Sequence, residues 1–150
     1  VRPSQPRIRA TRVFEEATAG ARVLLVDDDE PTREVVGAML EAVGLSVRAV
    51  DGGEAALDFL ARDPFDLALL DLSMPGMSGL ELCRQIRRAP SLRALPVIFL
   101  TAHAEPQRMM EAFACGADDY VVKPFRAPEL GARIFGLLRR AKARPQAVGF

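Results

Sequence analysis

No apolar run in this sequence approaches the ~20 residues that a membrane-spanning helix requires, so no membrane span is expected. Cysteine is scarce. Cys83 and Cys115 stand far apart, without the close spacings of zinc ligands or redox pairs, which argues against a zinc knuckle and a disulfide framework. Both fall in stretches with helical periodicity, where a free cysteine usually packs as a small hydrophobe. The N-terminal segment holds several arginines with no apolar stretch behind them, so no secretory leader is expected. Free thiols suit a reducing compartment, and the expected location is the cytoplasm.

Net charge is missing as well. Lys plus Arg and Asp plus Glu are 20 each, so the overall field gives no support for direct nucleic-acid binding. Neither a G-x-G-x-x-G fingerprint nor a P-loop occurs anywhere. Where a phosphate-cradling turn would need glycines, the chain carries Asp27, Asp28, Asp29 and Glu30, acid that would repel a pyrophosphate. A nucleotide-dependent enzyme is thereby disfavoured.

What is present is an ordinary globular mixture, 49% apolar and 27% charged over 150 residues, enough for one domain with one core. Residues 1–20, with Pro3, Pro6 and scattered arginine, predict a tail or linker with a short helical turn near 13–17. From Arg22 the pattern changes. Val23, Leu24, Leu25 and Val26 form a short aliphatic run suited to a strand covered on both faces. Val35, Val36, Met39, Leu40 and Val43 then recur at helical spacing, with Pro31 near the start and Gly44 as the stop.

The alternation continues, with strands expected at 45–50, 66–70, 95–100 and 118–122 and helices at 53–61, 80–88, 106–115 and 128–141. Five strand–helix units predict an α/β fold: a doubly wound five-stranded parallel sheet with five helices on its two faces, in strand order 2-1-3-4-5. The expected domain covers residues 21–142, with a C-terminal tail at 143–150. A stand-alone domain and one piece of a longer protein both stay open.

Ligands of such sheets bind at the carboxyl ends of the strands. There the sequence places Asp27 and Asp28 after strand 1, Asp71 after strand 3, Thr101 and Ala102 after strand 4, and Lys123 and Pro124 after strand 5. Clustered carboxylates repel one another unless a cation or proton intervenes. Mg²⁺ (or Mn²⁺) answers that need, because it takes one or two carboxylates and accepts phosphate oxygens as further ligands. Asp71 could act as a nucleophile toward phosphorus, with the metal and Lys123 neutralising the transferred group and Thr101 donating a hydrogen bond to it.

The motifs LLVDDDE at 24–30, LLDLSMPGMSG at 69–79, TA at 101–102 and KPF at 123–125 stand in order at these strand ends. In this the chain resembles the receiver domains of two-component response regulators over roughly residues 22–141, a family with a flavodoxin-like fold. The resemblance implies that Asp71 is the phosphoacceptor. It implies Mg²⁺ held by Asp28, Asp71 and the backbone carbonyl of Ser73, with Asp27 acting through water. Lys123 would pair with the phosphoryl group and precede a cis bond to Pro124. Thr101 and Tyr120 would form a switch pair in which the hydroxyl moves toward the phosphate and the ring turns inward. Met74, Pro75 and Gly76 match the tight turn after the acceptor, and Ala102 a position where bulk would block access. Ser73 and His103 resemble positions that tune the phosphoryl lifetime.

The implied donor is a histidine kinase or a histidine phosphotransfer protein, and catalysis is limited to the domain's own phosphorylation and dephosphorylation. The implied readout surface is the fourth helix, fifth strand and fifth helix, engaging a downstream protein, with a homodimer also open. The alternative is a phosphate-independent adaptor of the same fold.

Several residues carry a blander meaning too. Asp29 and Glu30 are expected to cap a helix and supply negative charge to its first turn. Lys123 could hold a solvated amine, and Tyr120 could be a core aromatic with a wet hydroxyl. His103, the only histidine, is expected to be a solvated loop residue. Met109 and Met110 are expected to fill core and surface. Arg139, Arg140, Lys142 and Arg144 are expected to be solvated near a helix C-terminus rather than to touch nucleic acid.

Overall fold

The aliphatic runs of the sequence become the central strands of a parallel sheet. A computed structural model describes residues 19–143; the expected helical turn near 13–17, most of the two tails and Arg144 lie outside the described residues. The strands are β1 (Arg22–Val26), β2 (Ser46–Val50), β3 (Leu67–Leu70), β4 (Val97–Thr101) and β5 (Asp119–Val122). The helices are α1 (Glu30–Ala42), α2 (Gly53–Arg62), α3 (Gly79–Arg88), α4 (Pro106–Ala114) and α5 (Ala127–Ala143). All pairings are parallel, in the order β2-β1-β3-β4-β5, as the alternation predicts.

β3 and β4 are buried along their whole length, which is why they read as continuous apolar runs rather than as an alternation. Successive residues nevertheless serve opposite faces. Leu24, Val26, Ala68, Leu70 and Phe99 pack under α2, α3 and α4. Val23, Leu25, Leu67, Leu69 and Ile98 pack under α1 and α5.

The boundaries have local causes. Asp29 caps α1, its carboxylate accepting from Thr32 N–H at 3.1 Å, and Pro31 follows in the first turn. Gly44, at φ +94°, ends that helix in the left-handed region, and Leu45 N–H returns to the Leu40 carbonyl at 3.1 Å. Leu45 therefore belongs to the helix cap, and β2 begins one residue later than the sequence suggests. β4 begins two residues later than expected. Pro96 has no N–H for the ladder, and Leu95 N–H closes a turn onto the Leu92 carbonyl at 3.0 Å. α5 extends to Ala143, beyond the expected end at 141. No described helix is long and apolar enough to cross a membrane.

Candidate active site at the carboxyl rim of the sheet

The ladder runs one residue past three of the strands, and this extension positions the rim. Asp27 N–H donates to the Val50 carbonyl (3.1 Å), Asp71 N–H to the Val26 carbonyl (2.8 Å) and Lys123 N–H to the Thr101 carbonyl (2.7 Å). The main chains that carry these side chains are thus fixed by the sheet rather than by loops. Arg33 of α1 adds a clamp, its Nη1 donating to the Asp27 carbonyl at 2.7 Å.

Carboxylate oxygens of Asp27, Asp28 and Asp71 lie within 4.8 Å of one another. Asp27 is buried, Asp71 half-buried and Asp28 exposed, so the cluster opens toward solvent on one side. Lys123 Nζ donates to Asp27 Oδ2 at 3.0 Å, and Asp29 N–H to Asp27 Oδ1 at 2.9 Å. Lys123 is therefore held within the carboxylate ring, and a freely solvated amine is set aside. Leu72 N–H donates to Asp71 Oδ1 at 2.8 Å. Burial, and after it the charge of Asp27, pushes the Asp71 carboxyl above its ordinary value, against the lowering pull of Lys123. Such crowding of negative charge fits a hard divalent cation, which would relieve the repulsion.

Thr101 is fully buried, and its Oγ1 accepts from His103 N–H at 3.3 Å. The Tyr120 ring is turned inward against Phe99, with centroids 6.3 Å apart, and its hydroxyl donates to the His103 carbonyl at 2.7 Å. A wet hydroxyl is thereby corrected: only 6% of Tyr120 is exposed, and burial pushes the phenol's pKa above its ordinary value. The Lys123–Pro124 bond is cis.

His103 departs most from expectation. Its side chain stays partly exposed, yet it is also bound: Nε2 lies 2.8 Å from Ser73 Oγ and Nδ1 lies 3.4 Å from Glu105 Oε2. Its ring bridges the loop after β3 and the loop after β4, a contact across thirty residues that no local pattern announces. Gly79 was also missed as a site residue. A Cβ there would overlap the Asp71 carbonyl oxygen and press on Phe99, so the start of α3 approaches Asp71 only as glycine. The sole sequence hint was its place at the end of the 69–79 motif.

Known proteins share this architecture. The family model described as the response regulator receiver domain matches residues 23–135. The phosphate regulon transcriptional regulatory protein PhoB of Rhizobium meliloti is 45% identical over 122 residues, covering 81% of this chain and 53% of that protein. The cell cycle transcriptional regulator CtrA of Caulobacter vibrioides is 39% identical over 127 residues, covering 85% and 54%. The chain thus spans about half the length of these curated relatives. Among solved structures, the signal receiver domain of a histidine kinase from Syntrophus aciditrophicus superposes with a TM-score of 0.78 at 32% identity, covering 87% of this chain and 100% of that one. A sensor histidine kinase receiver domain from Pseudomonas aeruginosa, solved with magnesium coordinated in its active-site cleft, gives 0.76 at 32% identity over 81% and 99%. By sequence, topology and the order of its strand-end residues, the chain belongs to the response regulator receiver domain family.

Proposed function

We propose that residues 21–142 form a cytoplasmic phosphoacceptor switch in which Asp71 takes a phosphoryl group from a phosphohistidine of a kinase or phosphotransfer protein. The observation that carries this is the convergence of Asp27, Asp28, Asp71, Lys123 and Thr101 on one rim. Leu72 N–H fixes one Asp71 oxygen, and the other is the attacking atom. The new O–P bond forms as the donor's P–N bond breaks, and the bonding pair leaves on the imidazole.

Asp28, Asp71 and the Ser73 carbonyl would hold Mg²⁺ (or Mn²⁺), with Asp27 acting through water. The bound cation supplies charge neutralisation for the transferring oxygens. Lys123 then neutralises the product by turning from Asp27 to the phosphoryl group, and Thr101 gives up the His103 N–H to donate to it. An apolar groove bordered by Val35, Met39 and Phe125 reaches Lys123, a suitable seat for the donor beside the site. Output passes through α4, β5 and α5 to a downstream protein or a second copy. Met110 and Phe113 stand exposed on α4, available to such a partner.

Incubation with acetyl phosphate and Mg²⁺ followed by intact-mass analysis tests this. A phosphoryl adduct on the wild type, absent from Asp71→Asn and from a chelator control, is expected. Equal labelling of Asp71→Asn would remove Asp71 as acceptor. No labelling, together with no binding of beryllofluoride, would leave a phosphate-independent adaptor.

A further inference from the structure

The two cysteines, 32 residues apart in sequence, meet away from the phosphoacceptor rim. Cys83 lies on the inner face of α3, fully buried, and its Sγ donates to the Cys115 carbonyl at 3.4 Å. Cys115 caps α4 and is partly exposed. It lines a groove of about 480 Å³ between α3 and α4, together with Arg84, Arg87, Arg88 and Glu111.

The junction is held in register by Arg87. Its Nη2 donates to the Gly116 carbonyl at 2.7 Å and to Asp118 at 3.0 Å, and its Nη1 donates to the Leu95 carbonyl at 2.6 Å. Gly116, at φ +102°, has no side chain to push Arg87 away, since a Cβ there would lie 2.8 Å from its Nε. Cys83 Sγ thus lies against the main chain of Cys115, and the Cys115 thiol is near enough to act on the Cys83 ionisation. A disulfide between them requires Cα atoms roughly 4.4–6.8 Å apart.

We propose that Cys83 and Cys115 form a reversible intramolecular disulfide in response to peroxide, fastening α3 to the C-terminal end of α4. Their environments divide the labour. Cys115 meets solvent in the groove and reacts first. Its sulfur attacks one peroxide oxygen, the O–O bond breaks, and the departing hydroxide takes up the cysteine's proton as water, leaving a sulfenic acid.

Cys83 resolves the sulfenic acid. Its sulfur attacks Cys115 Sγ, the S–O bond breaks, and the hydroxyl leaves as water with the Cys83 proton. Two thiols and one hydrogen peroxide thus give one disulfide and two waters. Burial pushes the Cys83 thiol up to about 11, so it stays protonated and is not the first to be oxidised. Thiol pairs in reducing compartments form transient, sensing disulfides rather than permanent ones. The staple would restrain α4 at the edge of the proposed readout face, yet its formation does not depend on phosphotransfer.

The test is graded hydrogen peroxide on the whole chain, followed by intact mass and a non-reducing digest. Expected are a mass loss of two hydrogens, a linked peptide pair containing Cys83 and Cys115, and reversal by a thiol reductant. Cys115→Ser should lower the oxidation rate at least about tenfold. Cys83→Ala should stop at a sulfenic acid that dimedone traps. Oxygen addition without cross-linking in the wild type, linkage only between molecules, or undiminished oxidation of Cys115→Ser would overturn the proposal. The wild-type digest decides the matter even if the buried Cys83→Ala variant folds poorly.

Discussion

The two faces of the sheet are built from different materials. Under α1 and α5 the buried residues are aliphatic throughout, from Val23 and Leu25 to Ile134 and Leu138. Under α2, α3 and α4 the buried set includes Phe99, Tyr120, Met74 and Cys83 beside small alanines. Backbone comes close there too. Gly53 faces the Met77 sulfur, Gly79 the Asp71 carbonyl, and Gly116 the Arg87 side chain. The first face is a scaffold whose branched and straight aliphatic chains hold the strands. The second links the rim to α4 through a polar and aromatic chain, from Thr101 through His103 to Tyr120. Burial alone does not separate the two faces. What separates them is whether a side chain's neighbours include the rim of Asp27, Asp28, Asp71 and Lys123.

Ile134→Ala on the aliphatic face should have the largest effect on stability. Ile134 is fully buried, and truncation there is expected to cost about 2–5 kcal/mol, read from urea unfolding. The folded fraction should label with acetyl phosphate at the wild-type rate. A tenfold loss of labelling in folded Ile134→Ala would break the contrast between the faces.

Gly79→Ala should show the opposite balance. The added methyl would collide with the Asp71 carbonyl and Phe99, an overpacking cost of about 1–3 kcal/mol. Labelling should fall by about tenfold to hundredfold, because the displaced group is the backbone of Asp71, the proposed acceptor. Wild-type labelling at reduced stability would make Gly79 a packing residue only.

Much of this was legible in the sequence, for physical reasons. Doubly covered strands must be continuously apolar, so β1, β3 and β4 announced themselves, and each ended where polar residues gathered. The gathering of Asp27, Asp28 and Asp71 followed from strand order alone. Side-chain partners chosen across the fold did not follow. His103 finds Ser73 thirty residues away, and Arg87 finds Gly116 and Asp118 about as far along the chain. No period or spacing encodes such pairs. Strand starts were misjudged where backbone bonding, not hydropathy, decides: Leu45 is drawn into a helix cap and Pro96 lacks a donor.

Tyr120→Phe probes the link between rim and α4 more gently. It keeps the ring against Phe99 and deletes only the hydroxyl that reaches the His103 carbonyl. The expected cost is about 0.5–1.5 kcal/mol, with labelling unchanged and partner binding on the α4 face weakened after phosphorylation. A variant that binds partners as the wild type does would show that the ring, not the hydroxyl, carries the link.

The smallest stability effect has an unusual sign. Burial and the charge of Asp27 hold the Asp71 carboxyl above its ordinary value, so the folded chain binds that proton more tightly than the unfolded chain. The stabilisation is present below the ordinary carboxylate value and is lost as pH rises through the raised one. At neutral pH with a chelator present, Asp71→Asn should therefore melt above the wild type. The gap should shrink as acid neutralises the wild-type carboxyl. It should stay modest, because the half-exposed site is screened by solvent and salt. Mg²⁺ should then raise the wild type more than the variant, since the cation gains from the carboxylate that the folded chain otherwise strains to keep charged. A neutral-pH melt in which Asp71→Asn is the less stable protein would mean that the Leu72 N–H bond and the charge of Lys123 outweigh burial and the repulsion from Asp27 and Asp28.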